Sequence, residues 1–208
     1  GSIVIGRTNV AGSVGNGGAV AIGDGNNALG AKSVAIGENN SVAATASTAV
    51  ALGGGNTANG DFSFSVGKSN QVEGGSGVAI GRDNIVKQTA INGVALGYLN
   101  NVESQSAAAI GEDNDAVGAY SMTFGYKNNA AGNYGVAIGQ ENTASGLNGT
   151  AIGKSNTASS GSAVALGLGT TASGSASIAL NNSTVASGGD SFASGFESTA
   201  TGSAGKIA

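Results

Sequence analysis

Chemistry in this 208-residue chain would fall to twelve acidic residues, eight basic ones and four tyrosines, because it contains no histidine and no cysteine. That absence removes the usual nitrogen and sulfur zinc site, a thiol nucleophile, a Ser-His-Asp triad and any disulfide framework. Asp83, Asp113 and Asp115 are oxygen ligands of the kind calcium takes, but the Gly-Gly-x-Gly-x-Asp nonapeptide of calcium-loaded β-rolls is absent, so they read as solvated turn charges. Carboxylate catalysis needs two acids held across a cleft, whereas the acids here are scattered over turns and one outer face. Gly23-Asp24-Gly25-Asn26-Asn27-Ala28 and Gly167-Leu168-Gly169-Thr170-Thr171-Ala172 match the glycine fingerprint of a dinucleotide site, which matters only between a strand and a helix. The expectation is a non-enzymatic chain with no catalytic residue, no metal and no cofactor.

Composition narrows the partners. A net charge of -4 with 10% charged residues leaves no basic stretch able to neutralise successive phosphates, so nucleic acid is not expected. No run approaches the roughly 20 apolar residues of a membrane helix, and no membrane contact by this segment is expected. Glycine supplies 39 residues and proline none, yet 40% of the chain is hydrophobic, which suits a regular extended structure rather than a disordered linker.

The elements that position these residues come from an internal repeat. Glycines follow Val-Ala-Ile-like tripeptides at 6, 23, 37, 53, 67, 81, 97, 111, 125, 139, 153, 167 and 195, with Asn181 in the same slot. Ten of the thirteen intervals are 14 residues, two are 16 and one is 17, so fourteen repeats fill the chain. With the anchor as zero, bulky apolar residues occupy minus three (Val20, Val34, Phe64, Val78) and minus one (Ile22, Ile36, Val66, Ile80). Residues two apart share one face of a strand. Ala or Val recurs at plus five, marking a second strand across a narrow core. Asn recurs at plus three from Asn9 to Asn156, giving way to Thr170, Thr184 and Ser198. Gly and Asn bracketing a turn suit positive φ, and stacked asparagines would form a side-chain ladder. The unit is strand, turn, strand, turn: one coil of an all-β parallel solenoid with coils about 4.8 Å apart.

The minus-two row is alanine in eleven of fourteen coils, the exceptions being Val4, Ser65 and Thr123. Taking the bulky rows as the core turns the alanines outward, and a strand apolar on both faces expects burial on both. Ala21, Ala35, Ala51, Ala79, Ala95, Ala109, Ala137, Ala151, Ala165 and Ala179 are therefore the expected subunit interface of a homo-oligomer, where small residues let identical copies approach a common axis.

Segments such as Ser33-Val34-Ala35-Ile36-Gly37, Gly77-Val78-Ala79-Ile80-Gly81 and Ala163-Val164-Ala165-Leu166-Gly167 resemble the head repeat of trimeric autotransporter adhesins of the YadA-like type, and the resemblance covers all fourteen coils. It implies a left-handed parallel β-roll assembled as a homotrimer. It further implies a parent protein with a signal peptide, a coiled-coil stalk and an outer-membrane anchor on the cell surface of a Gram-negative bacterium. Residues 1–204 would be head repeats and 205–208 the lead-in to the neck. The implied role is attachment to host extracellular matrix proteins (collagen, fibronectin or laminin) or cell receptors, with autoaggregation as another.

All four tyrosines, Tyr98, Tyr120, Tyr126 and Tyr134, fall in turn slots at plus one or minus five and are ligand-contact candidates, since tyrosine supplies large contact area at small entropic cost. The extra residues near Thr45 to Thr48 and Gln88 to Asn92 are a second candidate, because insertions in a solenoid map to protruding loops. The competing class is an ice-binding solenoid, for which Thr143, Thr157 and Thr171 align at plus four. Asn27, Gln71, Ile85 and Asp115 in the same slot make that face ragged.

Overall fold

Each repeat folds into one turn in the way its residue types require. A five-residue strand runs through the anchor glycine, as in Val78–Arg82, and a two-residue strand follows at plus four and plus five, as in Ile85–Val86. The computed structural model describes residues 1–12 and 17–202, and over them the chain is a parallel β-solenoid of fourteen turns with no helix. It divides into two units, Gly1–Ser106 and Ala107–Ala208, of seven turns each. The expected neck lead-in at 205–208 lies outside the described residues.

Within each unit every strand pairs in parallel with its equivalent in the next turn, Val78 with Phe64 on one side and Val94 on the other. The 16-residue repeats keep this register, Ala79 opposite Ala95 and Gly81 opposite Gly97, so their two extra residues are taken up wholly in the loop. Backbone donors outside the strands also reach the neighbouring turn, for example Asp83 N to the Lys68 carbonyl at 3.0 Å and Glu73 N to the Val86 carbonyl at 2.8 Å. A proline would break such a bond at nearly any position, which accounts for its absence.

The core corrects the expected orientation of the long strand. Ala21, Ala35, Ala51, Ala79, Ala95, Ala109, Ala137, Ala151, Ala165 and Ala179 are all 0% exposed within the single chain, so the alanine row points into the turn's own interior. The minus-three and minus-one rows point out, and none of their residues is buried. The reason is width. The interior between the two strands is filled by alanine at minus two, small residues such as Ala19, Ser33 and Ala163 at minus four, asparagine at plus three, and alanine or valine at plus five. Among the described residues the buried apolar side chains are only alanine and valine. Isoleucine and leucine do not fit so thin a layer without the overpacking that costs stability.

With little apolar volume inside, the polar ladder carries much of the specificity. Asn70 Oδ1 accepts from the Asn84 backbone N–H at 3.1 Å and from Asn84 Nδ2 at 2.9 Å. Asn70 Nδ2 reaches the Val66 carbonyl at 3.0 Å, the Gly81 carbonyl at 2.8 Å and Asn56 Oδ1 at 3.0 Å. The same pattern runs through Asn26, Asn40, Asn56, Asn128, Asn142 and Asn156. Thr170 ends it by donating its hydroxyl to Asn156 Oδ1 at 2.7 Å. The expected asparagine ladder is therefore present, but these asparagines do not hold the left-handed backbone. That falls to the residue before them, such as Asp83, Leu99 and Lys127 with φ of 56°, 56° and 53°, and to the minus-five residue, such as Phe62 and Tyr120. The anchor glycine is required for a separate reason: at Gly81, with φ of 125°, an added Cβ would stand 2.0 Å from the Gly97 carbonyl oxygen.

Candidate interaction surfaces

Three surface features emerge once the coil is built. The first is the outward face of the long strands, where Ile80 is 41% exposed, Met122 47% and Phe124 52%. Its neighbours along each unit, Val78, Val94, Ile110, Val136 and Ile138, are half-buried only because they lie against one another from turn to turn. A face of bulky apolar side chains that no other described part of the chain covers is what a subunit contact presents. The sequence carried a signal for two distinct faces. Minus four and minus two share a strand face and are almost all small, while minus three and minus one are mostly bulky, a contrast that separates the two faces without naming the inner one.

The second feature is aromatic, and the four tyrosines do not form one patch. Tyr120 and Tyr134, on adjacent turns at minus five, stack with ring centroids 5.2 Å apart and planes 5° from parallel. They stand 47% and 54% exposed, on the loop that leads into the long strand. Tyr98 and Tyr126 lie at the opposite end of that strand, each facing a cation. The Arg82 guanidinium sits 4.1 Å above the Tyr98 ring, and the Lys127 ammonium 5.3 Å from that of Tyr126. A hydrogen bond donated to the Tyr126 hydroxyl oxygen, and then the Asp113 carboxylate, hold the Lys127 ammonium above its ordinary range.

The third feature is polar. Charged side chains pair between successive turns, Arg7 with Asp24 and Lys87 with Glu103. Hydrogen bonds from Arg7 and then Thr8 hold the Asp24 carboxyl below its usual range, and those from Lys87 and then Asn101 do so for Glu103. Two recesses open nearby. One, of about 310 Å3, is a notch where Gly54 and Gly55 lack side chains between Glu38 and Lys68. The other, of about 350 Å3, is lined by Ala43, Thr45, Asn59, Glu73 and Gln88. No group of three or more potential metal ligands occurs among the described residues. Thr143, Thr157 and Thr171 do pair in register, but Asn129 precedes them and Val185 follows, so the array ends after three turns.

A solenoid of repeated turns that presents exposed apolar, aromatic and polar rows along its faces defines a class of repetitive, surface-presenting protein. The YadA head domain repeat (2 copies) matches residues 16–40, 44–70, 116–142 and 144–170, about half of the chain. The chain belongs to this family, as a YadA-like head domain of a trimeric autotransporter adhesin. The family is one of surface-exposed adhesins of Gram-negative bacteria, which points to an adhesive, structural role. No curated protein matches the chain.

Proposed function

We propose that this chain is the binding head of a bacterial surface adhesin that works as a left-handed, three-chain assembly and attaches the cell to host matrix proteins or receptors such as collagen, fibronectin or laminin. The observation that carries the assembly is the outward row pair: Val78, Ile80, Val94, Leu96, Met122 and Phe124 are bulky, apolar and uncovered in a single chain. Packing these rows against copies of themselves would bury them as a closed symmetric contact does. The contact moves from the alanine row to the rows on either side of it, and the reason for expecting a homo-oligomer stands. Repetition then serves attachment, since weak contacts multiplied over equivalent coils and three chains raise avidity without any deep pocket.

Solution mass by light scattering tests the assembly. The expected value is about three times the 19.5 kDa of one chain, as closed three-fold symmetry requires. Ile80→Glu together with Ile138→Glu should reduce it to one chain while leaving the β-sheet circular dichroism unchanged. A monomeric parent chain refutes the interface, and loss of binding to a matrix-protein panel on dissociation connects assembly with adhesion.

A further inference from the structure

The recess lined by Ala43, Thr45, Asn59, Glu73 and Gln88 is built by the two places where the repeat departs from 14 residues within the described part of the first unit. Its floor is the plus-six row of three successive turns, Ala43, Asn59 and Glu73. Its ends are the two-residue insertions, one carrying Thr45 and the other Gln88. The two loops are three turns apart, about 14 Å at the usual strand spacing. None of the lining residues belongs to the minus-three or minus-one rows, so the apolar long-strand face and this recess do not compete for one partner.

The end walls are firmly held. In the first loop Ala46 N donates to the Ala43 carbonyl at 3.0 Å, Thr48 N to the Ala31 carbonyl at 2.8 Å and Ser47 N to Asp61 Oδ1 at 2.7 Å. In the second, Ala90 N donates to the Lys87 carbonyl at 2.8 Å and Asn92 N to the Gly75 carbonyl at 2.9 Å, and the Thr89 hydroxyl donates to the Glu103 carbonyl. Ala46 and Ala90 are fully buried, so each insertion is anchored by an alanine returned to the core. A recess with fixed walls loses little ordering entropy on binding.

The lining decides the ligand class. The Thr45, Asn59 and Gln88 side chains make no hydrogen bond to another described residue, and Gln71 Nε2 holds one oxygen of Glu73 and leaves the other open. Hydroxyl, amide and carboxylate groups that donate and accept at close intervals match a ligand whose own groups both donate and accept. No cation lines the recess, and Lys87, the residue before Gln88, is engaged by Glu103 on the next turn, so an anionic ligand lacks a counter-charge. An extended peptide is disfavoured as well. The backbone groups here are taken by neighbouring turns, as with Asn59 N on the Val72 carbonyl and Glu73 N on the Val86 carbonyl, which leaves no free edge for strand addition. We propose that this recess binds a short, neutral, polyhydroxylated oligosaccharide, with Glu73 and Asn59 as the floor contacts and Thr45 and Gln88 closing its ends. The proposal deepens the adhesin reading and rests on it.

The test measures binding of the full 208-residue chain to immobilised lacto-N-tetraose, N-acetylchitotriose and mannotriose, with a sialylated trisaccharide as the anionic counterpart and host-cell attachment measured in parallel. The first sugar represents animal glycans and the next two microbial walls, so the arms separate the sources. Binding to at least one neutral sugar is expected, with a loss of about tenfold or more in Glu73→Ala, the value of a charge-assisted hydrogen bond, and in Asn59→Ala a smaller loss. Ser145→Ala, in the same row of the other unit, should change nothing. Gln88→Ala provides a milder variant should Glu73→Ala lower the melting temperature. Attachment without neutral-sugar binding overturns the recess proposal and leaves the adhesin reading standing, whereas a chain that does neither overturns both. Binding to the sialylated sugar alone, or binding indifferent to Glu73, Asn59 and Gln88, also overturns the proposal.

Discussion

Removing one asparagine from the ladder should cost far more than its size suggests. In Asn70→Ala the side chain that bridges three turns disappears. The buried backbone N–H of Asn84 loses its acceptor at 3.1 Å, and the Val66 and Gly81 carbonyls lose donors at 3.0 and 2.8 Å. Asn56 Oδ1 keeps the Asn70 backbone N–H at 3.1 Å, so it is not orphaned. The buried Asn84 N–H left without its acceptor, at about 1–3 kcal/mol, and two part-buried carbonyls each losing a bond, at about 0.5–1.5 kcal/mol, give a loss of roughly 2–6 kcal/mol. Asn70→Thr is the informative companion, because Thr170 and Thr184 already occupy this slot. Each keeps one hydroxyl donor, to Asn156 Oδ1 at 2.7 Å and to the Leu180 carbonyl at 3.0 Å. Threonine should therefore recover about 1–2 kcal/mol of the loss. The assay is urea unfolding followed by circular dichroism at one fixed protein concentration, since assembly makes apparent stability concentration-dependent. A loss below about 1 kcal/mol in Asn70→Ala, within the range of an ordinary exposed substitution, would show that the ladder is incidental to the fold.

Other outcomes follow from the same geometry. Gly81→Ala, whose Cβ would lie 2.0 Å from the Gly97 carbonyl oxygen at a φ of 125°, should destabilise by roughly 3 kcal/mol or more, read by thermal melting. Thr48→Gly relieves a β-branched residue held at φ of 57° and should stabilise by about 1 kcal/mol, the left-handed penalty less the entropy of glycine. The lowered pKa values of Asp24 and Glu103 mean that their ion pairs stabilise the fold above the unfolded carboxylate range. That contribution fades as pH falls through the still lower folded values. Melting temperature should thus be level from pH 7 to about pH 5 and fall below about pH 4, and Asp24→Asn with Glu103→Gln should flatten the acid limb. An unchanged acid limb would mean these exposed pairs contribute nothing measurable.

The repeat alone determined the class of fold, the register and the turns. A 14-residue period with two short strands admits little besides a parallel solenoid, and Gly81, Asn84 and their equivalents mark where each coil bends. The absence of histidine and cysteine likewise removed, from composition alone, thiol nucleophiles, disulfides and zinc sites of nitrogen and sulfur ligands. What the sequence left open was which face of the long strand lies inside. A strand such as Val78-Ala79-Ile80 alternates bulky and small, and period-two alternation separates two faces without saying which is the core. The usual rule places the bulky residues inside, and here that rule fails. Only the three-dimensional coil fixes the distance between the five-residue and two-residue strands, and that gap admits alanine, valine and asparagine but not isoleucine. The tyrosines divide for a similar reason. Slots plus one and minus five are both turns in the sequence, but they lie at opposite ends of one strand, so Tyr120 and Tyr134 stack while Tyr98 and Tyr126 face Arg82 and Lys127. Local pattern determines what each coil is made of, and the thickness of the closed coil decides which side it shows.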